Sequence, residues 1–161
     1  MNKKYKNFVI RDWQPSDRII AAELIRTVLA EYGLPWQPKI ADRDVMEVEL
    51  AYQDIGGEFW VVEENLAIVG TAAYQPINRS NNSVEIRKMY LLPQVRNKGL
   101  GQYLLKELEK AIAIKEYQEI WIETASVLKE AVVLYERNGY QPANDIETQR
   151  CDRAYLKRLN H

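Results

Sequence analysis

The spacing of apolar residues changes several times along the chain, and each change predicts a new strand or helix. A short apolar run over residues 8–10 predicts a strand, and apolar residues at near-helical spacing then predict a helix that ends near Gly33. The apolar positions of that helix are Ile19, Ile20, Leu24 and Val28, with Ser16 or Asp17 as its N-cap. A loop and a short second helix over 45–50 follow.

The later apolar runs predict the remaining strands of a sheet. These runs cover residues 59–62, 66–74, 84–92, 120–122 and 154–156. The first two form a hairpin with a tight turn at Glu64-Asn65, and amphipathic helices after Gly99 and over 128–137 separate the last three. The apolar face of the longer helix carries Leu100, Leu104, Leu108, Ala111 and Ile112. Because the hairpin rules out an all-parallel sheet, the pattern predicts a mixed three-layer α/β fold.

Composition narrows the range of functions. A chain of 161 residues fits one globular domain, which we place at residues 1–161. Its 22 lysine and arginine residues balance 23 acidic residues, which argues against a protein that binds nucleic acid or an anionic membrane surface. The start lacks a signal-peptide core, and no stretch approaches the roughly 20 apolar residues that cross a bilayer. With Cys151 as the only cysteine no internal disulfide can form, so we expect a cytoplasmic protein.

The segment after the 84–92 strand has the pattern of an anion-binding turn. Pro93 closes the strand, and Arg96-Asn97-Lys98-Gly99-Leu100-Gly101 runs directly into a helix. The first amides of a helix lack internal partners and carry partial positive charge, so a phosphate bound there satisfies both. The glycines leave room for it, and Arg96 and Lys98 add full charges. The same pattern also fits a plain strand-to-helix turn with solvated cations, and neither Gly-x-Gly-x-x-Gly nor a P-loop spacing is present.

These residues resemble the coenzyme A signature of the GNAT superfamily of N-acetyltransferases, Arg/Gln-x-x-Gly-x-Gly/Ala at a strand-to-helix junction. The similarity extends upstream over residues 87–93 and downstream through Leu134-Tyr135-Glu136-Arg137-Asn138-Gly139-Tyr140, and it covers roughly the C-terminal half. The resemblance implies acetyl-coenzyme A as the cosubstrate and transfer of its acetyl group to an amine. It also implies a three-layer α/β/α fold whose central sheet is mixed and mostly antiparallel.

The resemblance further assigns the contacts to the cofactor. The backbone of Met89, Tyr90 and Leu91 meets the pantetheine arm in a sheet-like way, opposite a splayed neighbouring strand. The pyrophosphate is held by Arg96, Asn97, Lys98, Gly99, Leu100 and Gly101, with Gln102 close by. Many members carry an asparagine where Leu128 stands here, so the chain departs from the family pattern at one usual cofactor contact.

Acetyl transfer to an amine requires an unprotonated nitrogen, a polarised thioester carbonyl and a proton for the departing thiolate. In similar enzymes the base is often a glutamate on the strand before the turn, which corresponds to Glu85. The alternative for Glu85 is an exposed strand residue facing Arg87, and Glu123 is a second candidate base. Tyr135 matches the proton donor to the sulfur, or else is a core tyrosine. A backbone amide near Leu91 would polarise the carbonyl.

Family members bind their acceptor between the first two helices and the loop before the last strand, here residues 32–57 and 141–150. Trp36 and Tyr52 are candidate walls of that site. The acidic residues Asp42, Asp44, Glu47, Glu49 and Asp54 either attract a cationic amine or form an exposed acidic helix. Small-molecule amines and peptides are both possible acceptors, and homodimers are common in similar proteins.

Other classes of function are less well supported by the residues. A sensor or regulatory subunit that binds acetyl-coenzyme A without turnover is the main alternative, and the leucine at position 128 favours it slightly. Because His161 is the only histidine and Cys151 has no companion ligand, we predict neither a histidine-dependent triad nor a metal site.

Overall fold

The computed structural model describes residues 1–80 and 82–160. Its strands are β1 (Asn2–Tyr5), β2 (Phe8–Asp12), β3 (Glu58–Glu64), β4 (Ala67–Ile77), β5 (Ser83–Leu91), β6 (Glu119–Thr124), β7 (Gln141–Ala143) and β8 (Arg153–Arg158). Its helices are α1 (Arg18–Glu31), α2 (Arg43–Met46), α3 (Val48–Ala51), α4 (Leu100–Ile114) and α5 (Lys129–Arg137). Asn81 lies outside the described residues, and so does His161, on which the exclusion of a histidine-dependent triad rests.

The strands form a single sheet in the order β1-β2-β3-β4-β5-β6-β8-β7. Neighbours pair antiparallel, except that β5 and β6 run parallel. The predicted hairpin is formed by β3 and β4, and the pair of residues next to its turn is Glu64 with Ala67. Asn65 and Leu66 between them have φ of 51° and 68°, as a two-residue turn with the twist of a hairpin requires. The predicted mixed, mostly antiparallel sheet is confirmed.

Helices cover both faces of the sheet, because alternate strand residues point to opposite sides. Phe59 and Val61 pack with α1, α2 and α3, whereas Trp60 and Val62 pack with α4. The apolar face predicted for α4 is confirmed: four of its five positions are fully buried and Ala111 is partly buried. In the described part of the chain, no helix combines the length and apolar character needed to span a membrane.

Two local predictions for the N-terminal part were wrong. Ile19 and Ile20 are 75% and 54% exposed, and α1 faces the core through other residues. These buried residues are Ala21, Ala22, Leu24, Ile25, Val28 and Leu29. The carboxylate of Asp17 does not cap α1, since it binds the Arg11 guanidinium at 2.8 and 2.9 Å and the Gln14 amide at 2.8 Å. A periodicity that is satisfied by two different faces cannot by itself choose between them.

The structure also contains an N-terminal hairpin that the apolar pattern did not predict. Strand β1 pairs with β2 from Asn2 to Tyr5, although its own side chains are mostly exposed and polar. Tyr5 stacks on Tyr103 of α4, with ring centroids 4.4 Å apart. The hairpin is therefore attached to the first turn of α4, next to the predicted anion-binding turn.

Candidate active site

Strands β5 and β6 pair over only three residues and then separate. The last pair is Glu85 with Trp121. Beyond it β5 continues to Leu91 and β6 continues to Thr124, but the two strands no longer pair with each other. This opens a wedge-shaped gap in the middle of the sheet, between the end of β5 and the end of β6. The family resemblance predicted such a splayed neighbour opposite 89–91.

A cavity of about 300 Å³ fills this gap. It is lined by ten of the predicted site residues: Glu85, Met89, Tyr90, Leu91, Arg96, Asn97, Gly99, Gly101, Gln102 and Tyr135. Lys98 and Leu100 do not line it, and Leu100 is 1% exposed in the core under α4. The sequence-predicted residues from three separate segments are thus brought to one cavity.

The turn before α4 presents a row of free backbone donors. The amides of residues 97–102 donate no hydrogen bond to any part of the chain that the structure describes. Asn97 and Gly99 have φ of 62° and 80°, a left-handed alternation that turns successive amides toward one side. Gly101 lines the cavity, and a Cβ on this residue would lie 3.5 Å from the Leu134 side chain. The geometry matches a cradle for an anion at a helix N-terminus.

The Arg96 side chain is fully engaged within the protein. Its Nε and Nη2 donate to the Leu91 carbonyl at 3.0 and 2.8 Å, and its Nη1 and Nη2 bind the Glu31 carboxylate at 2.6 and 2.9 Å. Nη1 also donates to the Tyr32 hydroxyl, which in turn donates to Glu130 at 3.1 Å. The charge of Arg96 therefore ties the end of α1 to the cavity mouth instead of standing free beside the cradle.

Strand β5 changes register where it borders the gap. Lys88 has a φ of 52°, and the pairing of β4 with β5 shifts between Thr71 and Ala73. Beyond this bulge the Leu92 amide donates to the Val69 carbonyl at 3.0 Å, so the Leu91 amide points to the other edge of the strand. The bulge thus turns a backbone N–H toward the gap, where a reacting carbonyl needs one.

The two candidate bases differ in how far their oxygens are engaged. Glu123 accepts from Arg79 at 2.7 Å and from the amides of residues 147 and 148 at 2.9 and 2.8 Å, and although burial opposes ionisation these bonds hold its pKa below 4.5. Among the described residues, Glu85 has a single ion-pair partner, the Arg87 Nε at 3.2 Å, and its side chain is 13% exposed. Burial raises the pKa of Glu85 above 4.5, with the nearby Glu123 charge adding to the rise. Glu85 is therefore not the exposed strand residue of the alternative interpretation.

Tyr135 lies in the wall of the cavity with an unengaged hydroxyl. The side chain is 5% exposed and its ring contacts Tyr140 and Tyr155 with centroids 5.9 and 6.2 Å away. Among the described residues its hydroxyl has no hydrogen-bond partner, and burial raises the pKa of the phenol, so it stays protonated. Tyr135 is therefore a core tyrosine whose hydroxyl is also available at the cavity, and its role as a donor to the sulfur stays a prediction.

Cys151 also lines the cavity, but it is a poor nucleophile. Burial raises the pKa of its thiol to about 11. Because the thiolate is the reactive form, almost none is present at neutral pH.

Two of the five acidic residues predicted to face the acceptor, Asp42 and Asp44, are buried and paired within the protein. Asp42 is fully buried and accepts from Arg150 at 2.6 and 2.8 Å, from Lys88 at 3.0 Å and from the Gln37 amide at 2.8 Å. Asp44 is buried as well and binds the hydroxyl of Tyr52. Both predictions for these two aspartates, an attracting surface and an exposed acidic helix, are therefore wrong. Tyr52 is 0% exposed and is part of the core, not a wall of the site.

Sequence reasoning missed Lys88 and Arg150, which line the cavity and share Asp42. Lys88 lies in the family-like stretch 87–93 and Arg150 in the acceptor segment 141–150, but neither was given a role, because only the fold brings their side chains together on Asp42. The one available signal was Lys88 itself, a charged residue inside an otherwise strand-like run.

Comparison of the sequence with known proteins identifies relatives of this chain. The chain is 36% identical over 137 residues to the uncharacterized N-acetyltransferase YjgM of Escherichia coli K12, covering 83% of this chain and 81% of that protein. It is 24% identical over 115 residues to N-acetyltransferase 8F1 of Rattus norvegicus, which covers 68% of this chain and 52% of the rat protein. The chain therefore spans about half the length of the rat relative.

Solved structures show the same fold. A GNAT-family acetyltransferase of Staphylococcus aureus Mu50 superposes with a TM-score of 0.88 at 22% identity, over 95% of this chain and 99% of that one. An acetyltransferase of Streptococcus agalactiae 2603 gives a TM-score of 0.85 at 21% identity, over 96% and 100%. The acetyltransferase (GNAT) domain family matches residues 56–142, more than half of the chain, including the anion cradle and Tyr135. The chain therefore belongs to the GNAT acetyltransferase family.

Proposed function

We propose that the protein transfers the acetyl group of acetyl-coenzyme A to an amine of a small molecule or peptide, by direct attack in a ternary complex. The observation that carries the proposal is the cavity between β5 and β6, which has free amides at one end and Glu85 at the other. A row of free amides beside a concave cavity with a few convergent polar groups is the arrangement expected of a ligand-binding site.

The residues around the cavity fit the parts of acetyl-coenzyme A. The amides of residues 97–102 would hold the pyrophosphate, with Lys98 as a free charge nearby, and the backbone of 89–91 would meet the pantetheine arm. When bound, acetyl-coenzyme A supplies an acetyl thioester, which is activated toward attack by nitrogen. The amide of Leu91, on the edge of β5 that faces the gap, would donate to the thioester oxygen.

Glu85 and Tyr135 would act at the two places where protons are needed, the acceptor nitrogen and the departing sulfur. An ammonium ion has no lone pair, so a carboxylate of Glu85 takes the proton from the acceptor nitrogen, directly or through water. Its raised pKa brings it closer to neutral pH than an ordinary carboxylate, which strengthens it as a base. The Tyr135 hydroxyl would donate a hydrogen bond to the departing sulfur as negative charge develops there. Because the ordinary pKa of a thiol, about 8.5, lies below that of a phenol, Tyr135 ends the step protonated and the proton that remains on the thiol comes finally from solvent. Cys151 is too weak a nucleophile for an acetyl-cysteine intermediate, which supports direct attack.

The proposal is tested by measuring release of free coenzyme A thiol from acetyl-coenzyme A across a panel of small amines and peptides. We expect acceptor-dependent release, and we expect Tyr135→Phe to lower kcat by roughly 100-fold or more because the hydrogen-bond donor to the sulfur is lost. Tyr140→Phe is the matched control. Tyr140 is also buried, but its hydroxyl lies away from the cavity and donates to the Glu109 carboxylate over 2.9 Å. Tight binding of coenzyme A with no release on any acceptor would instead support a sensor.

A further inference from the structure

We infer that Tyr5, at the end of β1, and Lys6, in the turn that follows, are positioning residues for the pyrophosphate of the bound coenzyme. The inference rests on the proposed function and concerns how the anion cradle is held in shape. Both residues lie outside the range 56–142 that the family matches, so the family assignment says nothing about them.

Both side chains bind the same backbone oxygen of the cradle. The carbonyl of Lys98 accepts from the Tyr5 hydroxyl at 3.1 Å and from the Lys6 ammonium at 2.7 Å. The Tyr5 ring is fixed in turn by its stacking on Tyr103, at an interplanar angle of 21°. Tyr103 belongs to the first turn of α4, and its amide donates to the Gly99 carbonyl at 3.0 Å. The hairpin, the cradle and the helix are thus connected through one carbonyl.

The orientation of this carbonyl decides where an amide of the cradle points. A peptide unit is planar and trans, so the Gly99 N–H is directed opposite to the Lys98 C=O. With the oxygen held against the hairpin, that N–H faces away from it and joins the other unpaired amides. A rotation of this peptide would turn a carbonyl oxygen toward the phosphate, where it would repel the anion.

Such a rotation is otherwise easy at this position. Gly99 has a φ of 80°, and glycine occupies positive and negative φ almost equally. The Lys98–Gly99 peptide therefore has little intrinsic preference between its two orientations. The hydrogen bonds from the Tyr5 hydroxyl and the Lys6 ammonium select one of them. A Cβ on residue 99 would lie 2.5 Å from the Tyr5 hydroxyl, so the close approach of Tyr5 is an additional reason for a glycine.

The experiment compares Lys6→Met and the double variant Tyr5→Phe, Lys6→Met with the native chain by titration calorimetry with coenzyme A. We expect the Kd of the double variant to rise about 10-fold, since one hydrogen bond to a charged donor and one neutral bond are lost. Lys6→Arg keeps a charged donor and should bind nearly as the native chain does. Lys4→Met is the matched control, because Lys4 is an exposed lysine of the same hairpin with no bond to the cradle.

A second readout separates positioning from a general loss of structure. The kcat/KM with S-acetylpantetheine, a donor without pyrophosphate, should be unchanged in the double variant. An unchanged Kd for coenzyme A, or an equal loss with both donors, would overturn the inference. Failure of the native chain to bind coenzyme A would overturn the proposed function itself and the inference with it.

Discussion

Replacing Asp42 with asparagine is expected to lower the free energy of unfolding by about 3 kcal/mol, because breaking a buried ion pair leaves its partners uncompensated. Asp42 is fully buried and neutralises Arg150 and Lys88, whose side chains are 6% and 4% exposed. Asparagine keeps the shape and one oxygen acceptor but removes the charge. The Arg150 guanidinium then loses a two-point partner in a place that water does not reach.

The measurement is urea unfolding of the native chain and the variant at neutral pH. The control is Glu47→Gln, which removes an exposed pair with Arg43 one helical turn away and should cost less than about 0.5 kcal/mol. A loss below about 1 kcal/mol for Asp42→Asn would contradict the prediction.

The pH dependence of stability gives a second check on Asp42. Burial alone would raise the pKa of Asp42, but Arg150 and Lys88 outweigh it and hold the pKa below 3.8. A lowered pKa in the folded state stabilises the protein above the unfolded pKa, and this contribution is lost as the pH falls through the folded pKa. Native stability should therefore decline in acid more steeply than that of Asp42→Asn.

Replacing Glu85 with glutamine is expected to lower kcat/KM for the amine acceptor by about 100-fold or more, because the general base is removed. For the native enzyme, kcat/KM should rise as the pH passes through the pKa of Glu85, at a pH above 4.5. The variant should lack this rise. A variant with the native pH profile would exclude Glu85 as the base.

Stability distinguishes this loss of activity from misfolding. Because burial raises the pKa of Glu85, the folded state disfavours its ionised form, and the charge costs stability at pH values above the folded pKa. Glutamine carries no charge, so Glu85→Gln should unfold at neutral pH with no smaller free energy than the native chain. Urea unfolding measures this directly.

The sequence predicted those features that depend on local pattern. The strand runs, the α4 face and the β3–β4 hairpin all follow from spacing within a few residues, and each is present. The anion-binding turn was predicted from its own residues at a helix start, and the family resemblance added the splayed strand, because a short motif with a fixed mechanical role keeps its spacing. The hairpin turn itself lies one residue later than predicted, at Asn65-Leu66, since both residues must adopt positive φ.

The features that were missed depend on contacts between distant segments. Asp42 and Arg150 are 108 positions apart, and nothing near either residue shows that they will be buried together. Strand β1 is held in place by its hydrogen bonds to β2 and by the stacking of Tyr5. Since neither contact needs an apolar pattern within the strand, the sequence shows none. The contact of β1 with Lys98 spans 93 positions and is equally hidden in the sequence.

The short pairing of β5 with β6 also has a consequence for association between molecules. Unpaired strand edges recruit other extended chains and favour aggregation, and proteins protect them with bulges and charges. Here the edge of β5 carries the Lys88 bulge, and the Arg96 guanidinium occupies the Leu91 carbonyl. A second polypeptide strand would find the Leu91 carbonyl taken and the regular spacing interrupted at Lys88, whereas the Leu91 amide stays open to a ligand. The gap thus excludes an invading strand while remaining open to a narrow ligand.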